Sequence, residues 1–187
     1  MIMPIVRKIY AFLIDSVQTF LIAAAVFLVI YAFLFRPFEV NGDSMYPNFH
    51  DKEYVITNLI GLRFQAPKLG DVMVFKAPPD PSKDYIKRVI GLPGDMVSVK
   101  DGNVYLNDKL FDESVFLKPD VKTYGGEFLK DGDSVKVPGD EYFVMGDNRE
   151  YSSDSREWGF VKKDELIGES LFVYWPLNQM RLVKNPL

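Results

Sequence analysis

Three short stretches of the sequence carry residues able to do chemistry together. Ser44 stands in GDSMYPNF, with Gly42 and Asp43 before it and Pro47 just behind. Glycine lets backbone approach a substrate and proline fixes a loop, but most serines in such loops are turn residues. Lys87 and Arg88 interrupt the apolar segment YIKRVIGLPGD. Strand side chains alternate faces, so one of the two must face the apolar side. A buried lysine is pushed down from its model value of ~10.4, and a neutral base near ~7–8 needs a shift of roughly 3 units, about 4 kcal/mol. Taken alone, Lys87 also fits a solvated strand face. The third stretch, GDNREYSSDSREWG, gathers Asp147, Asn148, Arg149, Glu150, Asp154, Arg156 and Glu157 around Ser152, Ser153 and Ser155. It reads either as a solvated loop or as a salt-bridge scaffold able to hold a neighbouring Ser or Lys in place.

Composition removes several alternatives. The chain has 187 residues, no cysteine and one histidine, His50. Thiolate nucleophiles, cysteine zinc sites and disulfides are excluded, and a His-rich metal site has no support. A Ser-His-Asp triad would have to use His50, so serine chemistry here points to another base. The net charge of −4 gives no basic face for a nucleic acid.

Stepping from these residues to the elements that carry them, no charged residue occurs between Asp15 and Arg36. The window Ser16–Phe35 would span about 30 Å as a helix, the thickness of a bilayer core. A buried core helix would need a more polar face than this run offers. A cleavable leader would need small residues after the run, where the sequence has Phe33-Leu34-Phe35-Arg36-Pro37-Phe38. The expectation is an uncleaved anchor. Arg7 and Lys8 favour a cytoplasmic N-terminal side and Arg36 weakens that bias. This divides the chain into a cytoplasmic 1–15, a transmembrane 16–35 and an extracytoplasmic domain 36–187.

Beyond the anchor the texture is that of strands broken by Gly, Pro and Asp. Strands are expected at Tyr54–Thr57, Val72–Lys76, Tyr85–Ile90, Met96–Lys100, Val104–Leu106, Ser134–Val137, Tyr142–Met145 and Leu171–Tyr174, with a short helical turn at Lys162–Leu166. Asp101-Gly102 in VSVKDGNVYLN suits a tight hairpin turn. Residues 108–132, rich in Asp, Lys and Gly, read as an insertion or small cap, or as a surface loop. The segment NLIGLRF, Asn58–Phe64, is either an apolar lip at the membrane interface or a packed connection. The fold class is mainly β: an N-terminal transmembrane helix, then an all-β domain with a small inserted cap.

Taken in order, the anchor, SMYP, KRVIGLPGD and GDNREYSSDSREWG resemble the bacterial type I signal peptidase (leader peptidase) family over residues 15–176. The resemblance implies a Ser-Lys dyad, with Ser44 as nucleophile and Lys87 as general base, a variant of the serine triad. It implies that Ser152 hydrogen-bonds and orients Lys87, that Asp154 and Arg156 form a structural ion pair, that Asp147 is a supporting acid, and that the Ser44 N–H is one oxyanion donor. Phe38, Val40, Met45, Tyr85 and Ile86 would line shallow pockets for the small residues, typically Ala at −3 and −1, that precede cleavage in signal peptides. Two positions depart from the family pattern. Gly42 stands where some members carry a serine that completes the oxyanion hole, and Asn48 stands for a common threonine, in what reads as a loop-stabilising role.

On this reading the protein is a single-pass enzyme of the cell membrane acting on signal peptides of secreted precursors. It touches the bilayer, needs no cofactor, metal or nucleic acid, and nothing demands more than a monomer. Ser44 lies nine residues past Phe35, so the link reaches at most ~32 Å and holds the loop near the membrane. Two other classes remain for comparison. A self-cleaving Ser-Lys repressor would want a DNA-binding domain in place of the anchor. A non-catalytic binding domain would be expected to have lost Ser44, Lys87 or Ser152.

Overall fold

The computed structural model describes residues 2–187; of the expected N-terminal stretch 1–15, only Met1 lies outside the described residues. Helix α1 runs Ile2–Phe33, about 48 Å at ~1.5 Å per residue. It is longer at its start than the expected 16–35, because Arg7, Lys8 and Asp15 do not break a helix and Pro4 falls in the first turn, where proline is tolerated. No residue in the apolar window of Val6–Tyr31 is buried against the rest of the chain. Ser16 and Thr19 donate their hydroxyls to the carbonyls of Phe12 and Asp15, each at 2.8 Å, so these polar groups are satisfied within the helix.

Twelve strands follow among the described residues. They are β1 (Phe35–Glu39), β2 (Tyr54–Asn58), β3 (Val72–Ala77), β4 (Asp80–Gly91), β5 (Met96–Lys100), β6 (Asn103–Leu106), β7 (Lys109–Leu110), β8 (Ser134–Lys136), β9 (Glu141–Met145), β10 (Val161–Lys162), β11 (Leu166–Trp175) and β12 (Arg181–Leu182). The larger sheet has the order β1-β2-β11-β3-β4-β9-β10, with β12 on β11; the smaller is β7-β6-β5-β8. Every pairing among the described strands is antiparallel. The fold is therefore mainly β behind an apolar helix. The β5–β6 hairpin turns at Asp101 and Gly102, both at positive φ, as a two-residue turn between twisted strands requires.

β1 was not expected. It begins two residues after the helix ends and pairs with β2 from Phe35 opposite Asn58 to Glu39 opposite Tyr54. Pro37 is tolerated there because β1 is an edge strand. β4 begins earlier than expected, at Asp80, and only its last residues, from Arg88, also pair with β9. Its stretch before Arg88 therefore pairs with β3 on one edge and with no strand on the other among the described residues.

Three apolar clusters hold these sheets. Val40, Met45, Phe49, Val55, Val72 and Val173 form one beneath the Ser44 loop. Met73, Phe75, Val89, Tyr142, Val144 and Val161 form a second, on the opposite face of β3 and β4. The third joins the smaller sheet to β9 and takes Phe116, Leu117 and Leu129 from residues 108–132. That segment has few strands but is packed and pinned: Thr123 donates its N–H to the Gly102 carbonyl at 3.0 Å. In the Asn58–Phe64 segment Leu62 packs against the second cluster, Leu59 and Ile60 are half-buried, and Phe64 is exposed. The Leu59 N–H donates to the Leu34 carbonyl at 3.0 Å, which sets the segment against the end of α1.

Candidate active site

The alternation of β4 puts Tyr85, Lys87 and Val89 on one face and Ile86 and Arg88 on the other. The sequence required one of the two cations to face an apolar side; both are buried, Lys87 4% and Arg88 3% exposed. The reason is that β4 is covered on both faces. Arg88 forms a two-pronged pair with Asp147, Nε to Oδ1 at 2.8 Å and Nη2 to Oδ2 at 2.7 Å, and donates from Nη1 to the Gly70 carbonyl at 2.8 Å. Its charge is neutralised in place. Lys87 has no such partner. Its Nζ lies 2.6 Å from Ser44 Oγ and 3.1 Å from the Ile86 carbonyl. Burial pushes the ammonium down to about 8, against the smaller opposing pull of Asp154 and Asp147. Nearly a tenth of the lysine is then neutral at pH 7, and half at pH 8.

The loop bearing Ser44 is built to be rigid. Gly42 takes φ +85°, where a side chain is strained, and its N–H donates to Asp51 Oδ1 at 2.6 Å. Tyr46 N–H reaches the Asp43 carbonyl at 3.0 Å and Phe49 N–H the Met45 carbonyl at 2.9 Å. Asn48 donates to both Asp147 Oδ2 and the Phe116 carbonyl at 2.8 Å, a loop-tying contact in keeping with its expected part. Behind the loop, Arg181 pairs with buried Glu53 at 2.6 Å. Burial would raise that carboxyl, but Arg181 and the His50 N–H hold it below its usual value. His50 is engaged with Glu53 at 3.3 Å and stacks edge-on to Tyr46, and is not among the groove residues.

The Asp/Arg-rich stretch is a scaffold, not a solvated loop. Asp154 caps α2 (Ser155–Trp158), accepting from the Arg156 N–H at 3.2 Å. It also grips the Arg156 guanidinium at 2.8 and 2.9 Å and accepts the Gly146 N–H at 3.0 Å. Burial alone would raise Asp154; the hydrogen bond and charge of Arg156 hold it below its usual value. Arg156 ties this to the 108–132 segment through the Tyr124 carbonyl at 3.0 Å. Arg149, which the sequence offered only as part of a charged run, bonds Gly146, Thr123 and Glu113 at 3.0, 2.7 and 2.5 Å. Gly146 itself is obligatory: a Cβ there would strike the Ser44 carbonyl and the Ser152 side chain.

Two expectations are corrected. Ser152 Oγ is buried with no hydrogen-bond partner, so the bond to Lys87 is not made in this structure; the hydroxyl packs instead against Gly146. Met45 was expected in a substrate pocket. It is fully buried in the cluster beneath the loop, because Ser44 and Met45 are consecutive and the turn sends one outward and the other inward. Phe38, Val40, Tyr85 and Ile86 do line the groove, about 590 Å³ in volume, with Ser44 and Lys87. Its wall also includes Val55, Val74 and Ser153, which sequence reasoning missed. Strand alternation offered no way to tell which small residues of neighbouring strands would meet there.

A mainly β body behind an exposed apolar helix, with a serine and a desolvated lysine touching in an open groove, has the make-up of a membrane-anchored serine hydrolase. The sequence comparisons agree. The family described as "Signal peptidase, peptidase S26" matches residues 13–175. Signal peptidase I S of Bacillus subtilis (strain 168) is 39% identical over 173 residues, 90% of this chain and 92% of its own. Signal peptidase IB of Staphylococcus aureus (strain MRSA252) is 33% identical over 185 residues, 93% and 95% of the two chains. A crystal structure of a signal peptidase I from Enterococcus faecalis V583, 31% identical, overlays 56% of this chain and 97% of that one with a TM-score of 0.47. The sequence matches alone place the chain: it belongs to the signal peptidase family, peptidase S26. It is a serine peptidase.

Proposed function

We propose that this peptidase removes N-terminal signal peptides from exported precursor proteins, cutting after small residues in Ala-x-Ala type sites. Ser44 is the nucleophile and Lys87 the general base. The observation that carries this is the 2.6 Å approach of Lys87 Nζ to Ser44 Oγ at the wall of the groove. Neutral Lys87 takes the hydroxyl proton as Oγ bonds to the scissile carbonyl carbon, and the resulting ammonium gives that proton to the leaving amine. Lys87 then takes a proton from a water that attacks the acyl carbon, the C–Oγ bond breaks, the ammonium returns its proton to Ser44 Oγ, and the signal peptide leaves as a carboxylic acid that ionises in solvent. The Ser44 N–H donates to the oxyanion. Gly42 brings no hydroxyl to this task and its N–H is engaged by Asp51.

The unpaired edge of β4 before Lys87 and the outer edge of β1 flank the groove, and an extended precursor segment adds there as a strand. On this reading Phe38, Val40 and Ile86, with Val55 and Val74, are the apolar walls that select small side chains by excluding larger ones. The anchor crosses the cell membrane once, with residues 36–187 on the extracytoplasmic side, where signal peptides emerge.

Cleavage of a precursor with an Ala-x-Ala site, measured in detergent, tests the reading. Cleavage after the second Ala should vanish in Ser44→Ala and in Lys87→Ala, and the wild-type rate should rise with pH through a limb near 8. Full activity of Lys87→Ala, or a limb near ~10, would sink the dyad. Ser152→Ala at unchanged Tm should lower kcat if the hydroxyl, unpartnered here, turns to Lys87 once substrate is bound.

A further inference from the structure

The Ser44 N–H donates to no acceptor among the described residues. The carbonyl of the same peptide unit, that of Asp43, is held twice: by the Tyr46 N–H and by the Asn148 side-chain Nδ2, each at 3.0 Å. Asn148 also donates its own N–H to the Ser44 carbonyl at 3.0 Å. The peptide units on both sides of Ser44 are thus gripped by one residue more than 100 positions away.

A trans peptide is planar, with its C=O and N–H pointing in opposite directions; only the Tyr46-Pro47 and Trp175-Pro176 bonds are cis among the described residues. Fixing the Asp43 carbonyl therefore fixes the direction of the Ser44 N–H. The Tyr46 contact is local and moves with the loop. Asn148 follows Asp147, which is locked to Arg88 on β4, so its grip is referenced to the strand that carries Lys87. We infer that Asn148 is a positioning residue that aims the Ser44 N–H at the developing oxyanion through the Asp43 carbonyl. In this chain the device matters more because Gly42 supplies no second hydroxyl donor. The inference rests on Ser44 being the nucleophile.

The test compares Asn148→Ala and Asn148→Asp with wild type and Ser44→Ala, using the full chain in detergent and an Ala-x-Ala precursor. Asn148→Asp keeps the shape and the backbone N–H but turns the side-chain donor into an acceptor facing a carbonyl. Both Asn148 variants should lose roughly 10- to 100-fold in kcat, part of the loss seen when an oxyanion donor is removed, with KM within about threefold. The pH limb should stay in place in Asn148→Ala, which leaves Lys87 and its charged neighbours untouched, whereas the new carboxylate of Asn148→Asp should move it upward, as Asp147 and Asp154 already pull it. A peptide aldehyde ending in Ala, whose adduct oxygen occupies the oxyanion position, should bind more weakly by the same factor, while a non-cleavable peptide of the same sequence binds as before. Wild-type kcat in either variant overturns the inference, as does a moved pH limb in Asn148→Ala, which would mean that Asn148 acts through Lys87. Failure of both variants to fold also overturns it, by making the residue structural. Activity in Ser44→Ala would instead remove the dyad itself.

Discussion

Lys87 and Arg88 are neighbours on one strand, equally buried and oppositely treated. Arg88 has a carboxylate; Lys87 has only a hydroxyl and a carbonyl within hydrogen-bond reach. A depressed lysine is a thermodynamic liability as well as a catalytic asset. With a folded value of about 8 against an ordinary 10.5, the folded state binds fewer protons than the unfolded chain between those pH values, so stability rises with pH across that window. The penalty is fully present below pH 8, where it amounts to about 3 kcal/mol, and is relieved toward pH 10.5. Lys87→Met, inactive but of similar length, should therefore be more stable than wild type at pH 7, with the gain shrinking as pH rises to 10.5. Denaturant unfolding at a series of pH values checks this, and an equal difference at all pH values would mean that Lys87 is not desolvated.

At the scale of elements, the site depends on ties between segments far apart in sequence. Asp147 joins the end of β9 to Arg88 on β4 and to Asn48 in the Ser44 loop. Removing one member of a buried pair leaves a charge without compensation, at about 3–5 kcal/mol. Asp147→Ala should lower Tm by roughly 10 °C for a chain of this size. Replacing both members, as Arg88→Met with Asp147→Leu, should cost less than Asp147→Ala alone, because no charge is stranded. A thermal melt of the three forms decides between this and a pair with little net effect. The same logic explains why the acidic and basic residues of GDNREYSSDSREWG are mostly buried: Asp154 and Arg156 satisfy each other, Arg156 also donates to the Tyr124 carbonyl, and Arg149 donates to the Glu113 carboxylate and the Thr123 hydroxyl.

For the whole molecule, the helix and the β body are almost independent in energy. The Val6–Tyr31 span buries nothing against the rest of the chain, so its apolar surface has only a membrane to remove it from water. Deleting residues 2–33 should leave the Tm of the β body within a few degrees of the full chain and shift the protein from the membrane fraction to the soluble one. A large fall in Tm on deletion would mean that the helix contributes to the fold. On the proposed topology, protease added outside intact spheroplasts should digest residues 36–187, and protection there would reverse the orientation.

The sequence by itself determined the long apolar N-terminal helix, the β texture, the hairpin at Asp101-Gly102 and the identity of the candidate dyad. These are local signals: an uninterrupted apolar run, a turn dipeptide, and short motifs whose joint order resembles one family. It could not decide that Lys87 and Arg88 are both buried, because strand alternation assigns faces but not what covers them. β1 was hidden because an edge strand containing Arg36-Pro37 has no inner-strand pattern and gains its pairing only from β2. Met45 was misplaced because the direction of a side chain in a turn depends on the core beneath it. The ties made by Arg149, Glu53, Arg181 and Asn148 were likewise out of reach. Each joins segments tens of residues apart, and only folding sets a guanidinium or an amide against a distant carbonyl or carboxylate.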